Sequence, residues 1–186
     1  MTAHDYFEGL YAASDDPWKL AERAYEDRKF AVTMASLPRS RYARGFEPGC
    51  SIGVLTARLA ERCDQLLATD PVAKALDRAR RDVPASHVTF GQARLPDDWP
   101  DGQLDLIVLS ELLYYLSEPQ RIQVMAHAVS SLAPGGDLVL VHWRWPFEVA
   151  TCTGDEAHAE FAACDELVTV VHHLEDDFRL EVFSRA

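Results

Sequence analysis

Residues 47–53 read EPGCSIG and place one acid, two glycines and a serine in a short loop. Gly49, Ser51 and Gly53 match the G-x-S-x-G pattern of serine hydrolases, in which the serine is an exposed nucleophile. The same residues match an incomplete glycine-rich loop that opens a nucleotide-binding unit, where a small residue lets the backbone approach a cofactor. The loop alone therefore leaves two chemistries open for Ser51.

Two acids at the ends of predicted strands favour the cofactor-binding alternative. Glu47 closes the strand before the loop, and Asp70 closes the next strand. An acid about 20 residues beyond a glycine-rich loop binds ribose hydroxyls in dinucleotide-binding folds. A hydrolase needs several strands and an oxyanion loop upstream of its serine, whereas only helical sequence precedes the one strand that leads into this loop. We therefore predict that the loop binds an adenosine-bearing ligand and that Ser51 is a spacer.

The charge of Glu47 narrows the choice of ligand. The dinucleotide fingerprint asks for glycine at positions 51 and 54, where this chain has Ser51 and Val54, and no Walker lysine follows. An acid directly before the loop would repel a pyrophosphate. It suits a ligand with a cationic, amino-acid-like end, and S-adenosylmethionine (SAM) is such a ligand.

Three further side chains are candidates for acid–base chemistry. Methyl transfer from a sulfonium is an in-line displacement, and an amine acceptor must first lose its proton to a nearby histidine or carboxylate. Glu111 and His142 follow the fourth and fifth predicted strands, where the acceptor should lie, and His158 follows in the segment GDEAH. A lone histidine is more often structural than catalytic, so both interpretations of His142 and His158 stay open.

The elements that must position these residues alternate along the chain. The helical patterns are separated by strand candidates: YARGFE, QLLATD, HVTFGQ, LDLIVLS and DLVLVHW. The preceding segment, residues 15–38, predicts one long helix with Asp15 or Asp16 as its N-cap and Pro38 as its stop. Two β-rich runs close the chain as a hairpin around EDD. This order predicts a doubly wound α/β sheet with helices on both faces and a ligand at the carboxyl ends of its strands.

Composition excludes several classes of protein. The 186 residues carry a formal net charge of −12, which repels nucleic acid phosphates. The N-terminal MTAHDYFEGLY lacks the regions of a signal peptide, and no apolar run approaches a membrane span. The four cysteines lack C-x-x-C spacing and predict reduced thiols without a metal. We expect a cytoplasmic protein with neither a nucleic acid nor a membrane partner, and the sequence does not indicate an oligomeric state.

Eight segments follow one another in an order and spacing that together are specific: YFEGLY, DPW, YEDRKF, EPGCSIGVLTARLAERC, LPDDWPDGQLDLIVLSELLYYL, LVHWRWP, TGDEAH and DDFRLEVF. With them, nearly the whole chain resembles the nodulation protein S-like (NodS-like) group of class I SAM-dependent methyltransferases. The resemblance implies a single domain over residues 1–186, with an N-terminal helical lid over residues 1–38 and a Rossmann-like core over residues 39–186. It also implies a seven-stranded, mostly parallel sheet with an antiparallel C-terminal strand.

The resemblance further implies a set of cofactor contacts. The loop backbone would meet the methionine part of SAM, Glu47 its ammonium and Asp70 its ribose. Relatives commonly carry an acid for the adenine amino group where this chain has Arg94, so we expect backbone groups at Arg94 and Leu95 to bind adenine. Ser110 would line the floor, and three N-terminal residues would form the lid. The implied cofactor-binding residues are Trp18, Tyr25, Arg28, Glu47, Gly49, Ser51, Gly53, Asp70, Arg94, Leu95 and Ser110.

The activity that the resemblance implies is methyl transfer to a small molecule, with S-adenosylhomocysteine (SAH) as the product. NodS relatives point to an amino group on a glucosamine-type sugar, and the acidic surface would attract a cationic substrate. Trp143 and Trp145 offer apolar faces of the kind that sugar rings use. Three other functions stay open: an O-methyltransferase of a natural product, a SAM-binding module without turnover, and a serine hydrolase.

Overall fold

The computed structural model describes residues 3–186, with side chains from residue 5 onward. Its strands are β1 (Tyr42–Pro48), β2 (Cys63–Asp70), β3 (Val88–Gln92), β4 (Leu104–Ser110), β5 (Leu132–Trp143), β6 (Leu167–Leu174) and β7 (Phe178–Arg185). Its helices are α1 (Ala3–Ala13), α2 (Ala24–Ser36), α3 (Val54–Ala60), α4 (Ala73–Asp82), α5 (Glu118–Ser131) and α6 (Gly154–Ala162), with a 3₁₀ turn at Leu113–Tyr115.

All seven strands belong to one sheet, in the order β3–β2–β1–β4–β5–β7–β6. Strand β7 runs antiparallel to both of its neighbours, and the remaining pairs are parallel. The strand order reverses between β1 and β4, and α/β sheets bind their ligands at the carboxyl ends of the strands at such a point. The predicted doubly wound, Rossmann-like, mostly parallel sheet with an antiparallel C-terminal strand is confirmed.

Apolar side chains cover both faces of the sheet. Leu106 and Val108 of β4 pack on one face, in the core that also contains residues of α2 and α3. Ile107 and Leu109 point to the other face, where residues of α5 and α6 pack. Successive side chains of a strand point to opposite faces, so the apolar run LDLIVLS is buried on both sides. The ends of β1 and β4 are thereby fixed between two layers of helices.

The N-terminal segment departs from the single long helix that its sequence predicts. The Asp16 carboxylate accepts hydrogen bonds from the N–H groups of Leu20, at 2.8 Å, and Ala21, at 3.0 Å. An aspartate bound to nearby backbone in this way competes with helix formation, and Lys19 has a left-handed φ of 57°. Helix α2 therefore begins only at Ala24, and Trp18 lies in the loop before it.

Within residues 3–186, no helix is both long and apolar enough to cross a membrane. The four cysteines are free thiols.

Candidate functional site

A cavity of about 640 Å³ opens at the carboxyl ends of β1, β2 and β4. The α1–α2 segment covers one side of it, and the segments that follow β4 and β5 form the other side. A volume of this size is typical of sites for small molecules. The cavity therefore lies where the strand order reverses, as expected for a ligand site in this fold.

The loop after β1 is held in a left-handed backbone conformation at alternate residues. Gly49 has a φ of 72°, Ser51 a φ of 53° and Gly53 a φ of 84°. A Cβ on Gly53 would lie 3.1 Å from the Cβ of Ala79 on α4, so glycine also permits the close packing of α3 on α4. Gly49 and Ser51 line the cavity, whereas Gly53 lies behind it as the residue before α3.

Asp70 fixes this loop to the end of β2. Its Oδ2 accepts a hydrogen bond from the Ser51 N–H, and its Oδ1 accepts one from the Val72 N–H, both at 2.9 Å. Burial raises the pKa of Asp70 to about 6, although both hydrogen bonds act in the opposite direction. An ionised carboxylate has about four acceptor positions, so Asp70 keeps acceptor capacity toward the cavity that it lines. A pair of ligand hydroxyls fits this group.

Glu47 lies at the end of β1 and is almost fully buried. Its Oε2 accepts a hydrogen bond of 2.6 Å from the Thr56 hydroxyl on α3. Burial raises the pKa of Glu47 to about 8, and the hydrogen bond from Thr56 offsets only part of this. Glu47 also lines the cavity. A cationic ligand group beside it would favour the ionised carboxylate.

Among the side chains that the structure describes, Ser51 lacks the neighbouring histidine that would activate it as a hydrolytic nucleophile. Its Oγ lies 2.5 Å from the Tyr11 hydroxyl on α1. His142 and His158, the histidines proposed for chemistry, are bonded to each other elsewhere in the fold. Sequence reasoning missed Tyr11, which is buried and lines the cavity. Its spacing of four residues from Phe7 places both rings on one helix face, and this was the signal available in YFEGLY.

Glu111 follows β4 and is held from three directions. Its Oε2 accepts hydrogen bonds from the Trp143 N–H, at 2.9 Å, and from the Tyr114 hydroxyl. Its Oε1 lies 2.5 Å from the Lys29 Nζ. Glu111 has a left-handed φ of 55° and lines the cavity. Nothing in the sequence singled out Lys29, because lysine is rarely buried and its partner is 82 residues away.

The structure corrects the expected placement of His142 and His158. Both side chains are fully buried, and neither lines the cavity. Side chains alternate along a strand, so His142 shares the α6 face of β5 with Leu138 and Leu140, whereas Trp143 points toward the cavity. Burial lowers the pKa of both imidazoles. Neither ring is placed to take a proton from a ligand in the cavity.

Arg28 is also placed differently from the expectation. It forms a bidentate ion pair with Glu175, with N–O distances of 2.7 and 3.1 Å, and its side chain is 63% exposed. The residues of α2 that face the cavity are Tyr25, Glu26, Lys29 and Phe30. The cavity contains these predicted site residues: Trp18, Tyr25, Glu47, Gly49, Ser51, Asp70, Arg94, Leu95, Ser110 and Glu111.

Comparison with known protein families identifies the family and several relatives of this chain. The family model Nodulation protein S (NodS) matches residues 3–168. Nodulation protein S of Rhizobium tropici is 33% identical over 144 residues, a match that covers 75% of this chain and 60% of the relative. The chain thus spans about 60% of the length of the curated relatives that it matches first.

Solved structures share the fold over most of the chain. The N-methyltransferase NodS from Bradyrhizobium japonicum WM9, in complex with SAH, is 26% identical with a TM-score of 0.85, covering 100% of this chain and 99% of that chain. A presumed methyltransferase from Pseudomonas syringae is 43% identical with a TM-score of 0.76, covering 88% of this chain and 100% of that chain. The family model covers well over half of the sequence, and the chain therefore belongs to the nodulation protein S (NodS) family.

Proposed function

We propose that this chain is a SAM-dependent methyltransferase that acts on a small-molecule amine and releases SAH. The observation that carries the proposal is the pair of buried acids, Glu47 and Asp70, on either side of a left-handed loop in one cavity. One acid suits an ammonium and the other a pair of hydroxyls, and SAM presents both groups. The solved NodS in complex with SAH supports the same cofactor.

The residues present fit this cofactor. Asp70 would accept hydrogen bonds from the ribose hydroxyls, Glu47 would pair with the methionine ammonium, and the backbone of Gly49 and Ser51 would hold the methionine part. The Arg94 N–H already donates to Asp98 Oδ2 at 2.9 Å. The proposed adenine contact therefore shifts toward the backbone of Leu95. When bound, SAM supplies an electrophilic methyl group on a sulfonium.

The acceptor side of the cavity is lined by one acid, Glu111, and by aromatic side chains. Phe147 packs edge-on against Tyr114 and Tyr115, with ring centroids 4.9 and 5.5 Å apart. Glu111 lines this side of the cavity, and we propose it as the group that accepts the proton of the amine. Trp143 lines the cavity, whereas Trp145 is 51% exposed and lies under Arg144. Trp143 is thus the tryptophan proposed to face an amino-sugar ring.

The N-terminal segment supports a lid over the cofactor. The proposed lid covers residues 1–38, of which residues 1 and 2 lie outside the described residues. Trp18 and Tyr25 line the cavity, and the buried Tyr25 hydroxyl has no hydrogen-bond partner among residues 3–186. An unpaired buried hydroxyl costs free energy, and a ligand group beside it would remove that cost. The core begins at residue 39 in this proposal.

Incubation with methyl-labelled SAM and a panel of acceptors tests the proposal. Glucosamine oligomers, free amines and phenols represent the competing acceptor classes. We expect labelled product from the amines, and much less of it with Asp70→Ala at a SAM concentration that does not saturate this variant. Label that is retained by the protein but never transferred would indicate a binding module, and turnover of phenols alone would indicate an O-methyltransferase. The net charge of −12 supports an acceptor other than a nucleic acid.

A further inference from the structure

A buried chain of hydrogen bonds runs from the acceptor side of the cavity to strand β7. The Leu113 N–H donates to His142 Nε2 at 3.2 Å. His142 Nδ1 lies 3.1 Å from His158 Nε2, and His158 Nδ1 lies 2.8 Å from Glu181 Oε2. Leu113 is the first residue of the 3₁₀ turn after Glu111, so its N–H has no partner within that turn. The side chain of His142 provides that partner.

The donors and acceptors in this series of hydrogen bonds determine which ring nitrogens of His142 and His158 carry protons. The pKa of Glu181 is lowered to about 2, chiefly by its bonds to His158 and Arg179 against the effect of burial, so its carboxylate only accepts. The proton of the last hydrogen bond therefore lies on His158 Nδ1. At the other end, Leu113 donates, so His142 Nε2 carries a lone pair. Both rings must then be neutral, with their protons on Nδ1.

We propose that His142 and His158 are positioning residues. They hold the segment 111–116 through the Leu113 amide, and they release it when one of the two imidazoles takes up a proton. The segment carries Glu111, Tyr114 and Tyr115, all of which line the cavity. The hydrogen bonds and their release by acid do not depend on which reaction the protein catalyses. Only their effect on turnover rests on the function proposed above.

Addition of one proton to either imidazole disrupts the hydrogen bond from the Leu113 N–H. A proton on His158 Nε2 turns this atom from an acceptor into a donor toward His142 Nδ1. His142 must then carry its own proton on Nε2, opposite the Leu113 N–H, and two donors face each other. A proton added directly to His142 Nε2 gives the same conflict. Acid therefore disrupts the contact that holds the segment.

The surroundings of both rings oppose protonation at neutral pH. Burial lowers the pKa of His142, and the nearby His158 and Lys29 lower it further. Burial also lowers the pKa of His158, where Glu181 and Asp155 act against Arg179. The Tyr114 ring packs edge-on against His142, with centroids 5.4 Å apart. The hydrogen bond from the Leu113 N–H to His142 is therefore formed at neutral pH and lost only in acid.

Nitrogen-15 NMR of histidine-labelled protein at neutral pH tests the proton pattern directly. We expect two rings with protonated Nδ1 and bare Nε2, assigned by the signals that disappear in His142→Gln and His158→Gln. A proton on Nε2 of either ring at neutral pH would overturn the proposal.

Hydrogen exchange of residues 111–116, followed from pH 7.5 down to the onset of acid unfolding, tests the release when it is expressed as protection relative to the unstructured rate at each pH. In the unaltered chain we expect protection to fall by about fivefold or more on acidification, as for the loss of one hydrogen bond. His142→Leu removes the acceptor, so protection should be low throughout. The amide oxygen of His142→Gln reaches the Nε2 position and cannot be protonated, so protection should be retained throughout.

His172→Gln, at an exposed position on the edge strand β6, is the matched control and should behave as the unaltered chain. Acid release that persists in His142→Gln would contradict the proposal, as would normal protection in His142→Leu. SAM binding and methyl transfer are measured on the same samples. If neither occurs while the proton pattern and the release are found, the proposed function fails and this inference stands.

Discussion

Lys29 Nζ on α2 lies 2.5 Å from Glu111 Oε1 at the end of β4, and 2.8 Å from Glu26 Oε2. The Lys29 side chain is 2% exposed. Burial alone would lower the pKa of Lys29, but Glu111 and Glu26 together raise it. One buried cation therefore joins the proposed lid to the proposed acceptor site.

Replacement of this cation should destabilise the whole domain. Lys29→Met leaves two carboxylates without their partner, and removal of one member of a buried ion pair costs about 3–5 kcal/mol. Chemical denaturation measures the change in the free energy of unfolding. The exposed Lys19 provides the control, since Lys19→Met should change the free energy by no more than about 0.5 kcal/mol. A similarly small effect of Lys29→Met would mean that the ion pair contributes nothing.

Asp70→Ala should weaken SAH binding by about 10- to 150-fold. Hydrogen bonds to a charged group are worth about 1.5–3 kcal/mol, and each 1.4 kcal/mol is a factor of ten. The variant also frees the Ser51 N–H from its bond to Asp70. Isothermal titration calorimetry measures the affinity. Asp64→Ala is the control on the same strand, because Asp64 is exposed and pairs with Arg41. Equal SAH affinity of Asp70→Ala and the unaltered chain would refute the assignment.

The affinity for SAH should rise with pH between about 6 and 8. The pKa of Glu47 is raised to about 8 by burial, so the free protein holds this carboxyl mostly protonated below that pH. The ligand ammonium favours the carboxylate, so binding releases a proton, and the affinity falls when protons are abundant. Asp70, with a pKa raised to about 6, contributes the same sign only in more acidic solution.

Calorimetry at pH 6 and 7.5, in buffers of different ionisation enthalpy, measures the proton released on SAH binding. Glu47→Gln cannot titrate, so its affinity should be flat over this range, whereas Glu61→Gln, at an exposed position, should keep the slope of the unaltered chain. Proton uptake on binding would be incompatible with Glu47 beside the ammonium.

Sequence reasoning succeeded where a local pattern determines the structure. The run LDLIVLS predicts β4 over Leu104–Ser110 because both faces of a central strand are apolar. The positions of Glu47 and Asp70 at the ends of β1 and β2, beside the cavity, could be predicted because strand ends can be read from the sequence. The late start of α2 was missed, since the hydrogen bonds of Asp16 outweigh the helical pattern around Trp18.

The acceptor side was harder to predict because its contacts join distant parts of the chain. His142 and Trp143 are neighbours at the end of β5, and only the packing of the sheet decides which of them faces the cavity. Lys29 and Tyr11 act through partners 82 and 40 residues away. A single sequence does not indicate which residues so far apart in the chain come into contact.

Ser51→Ala should keep SAH affinity within about fivefold. The change removes the hydrogen bond to Tyr11, worth about 1 kcal/mol, and keeps the backbone N–H that donates to Asp70. Ser51→Leu should abolish binding, because a branched side chain at a φ of 53° is strained and would occupy the cavity. Calorimetry compares the two variants. Covalent labelling of Ser51 by a fluorophosphonate would instead identify a nucleophile.

The proposed lid should become more protected when the cofactor binds. Residues 6–30 contribute Phe7, Tyr11, Trp18 and Tyr25 to the cavity, and the buried Tyr25 hydroxyl has no partner among the described residues. Bound SAH would contact this segment and reduce its local opening. Hydrogen exchange with and without SAH measures this, and residues 163–174, at the far edge of the sheet, are the internal control. Equal protection of residues 6–30 in both states, at an SAH concentration shown by calorimetry to saturate the protein, would contradict a lid.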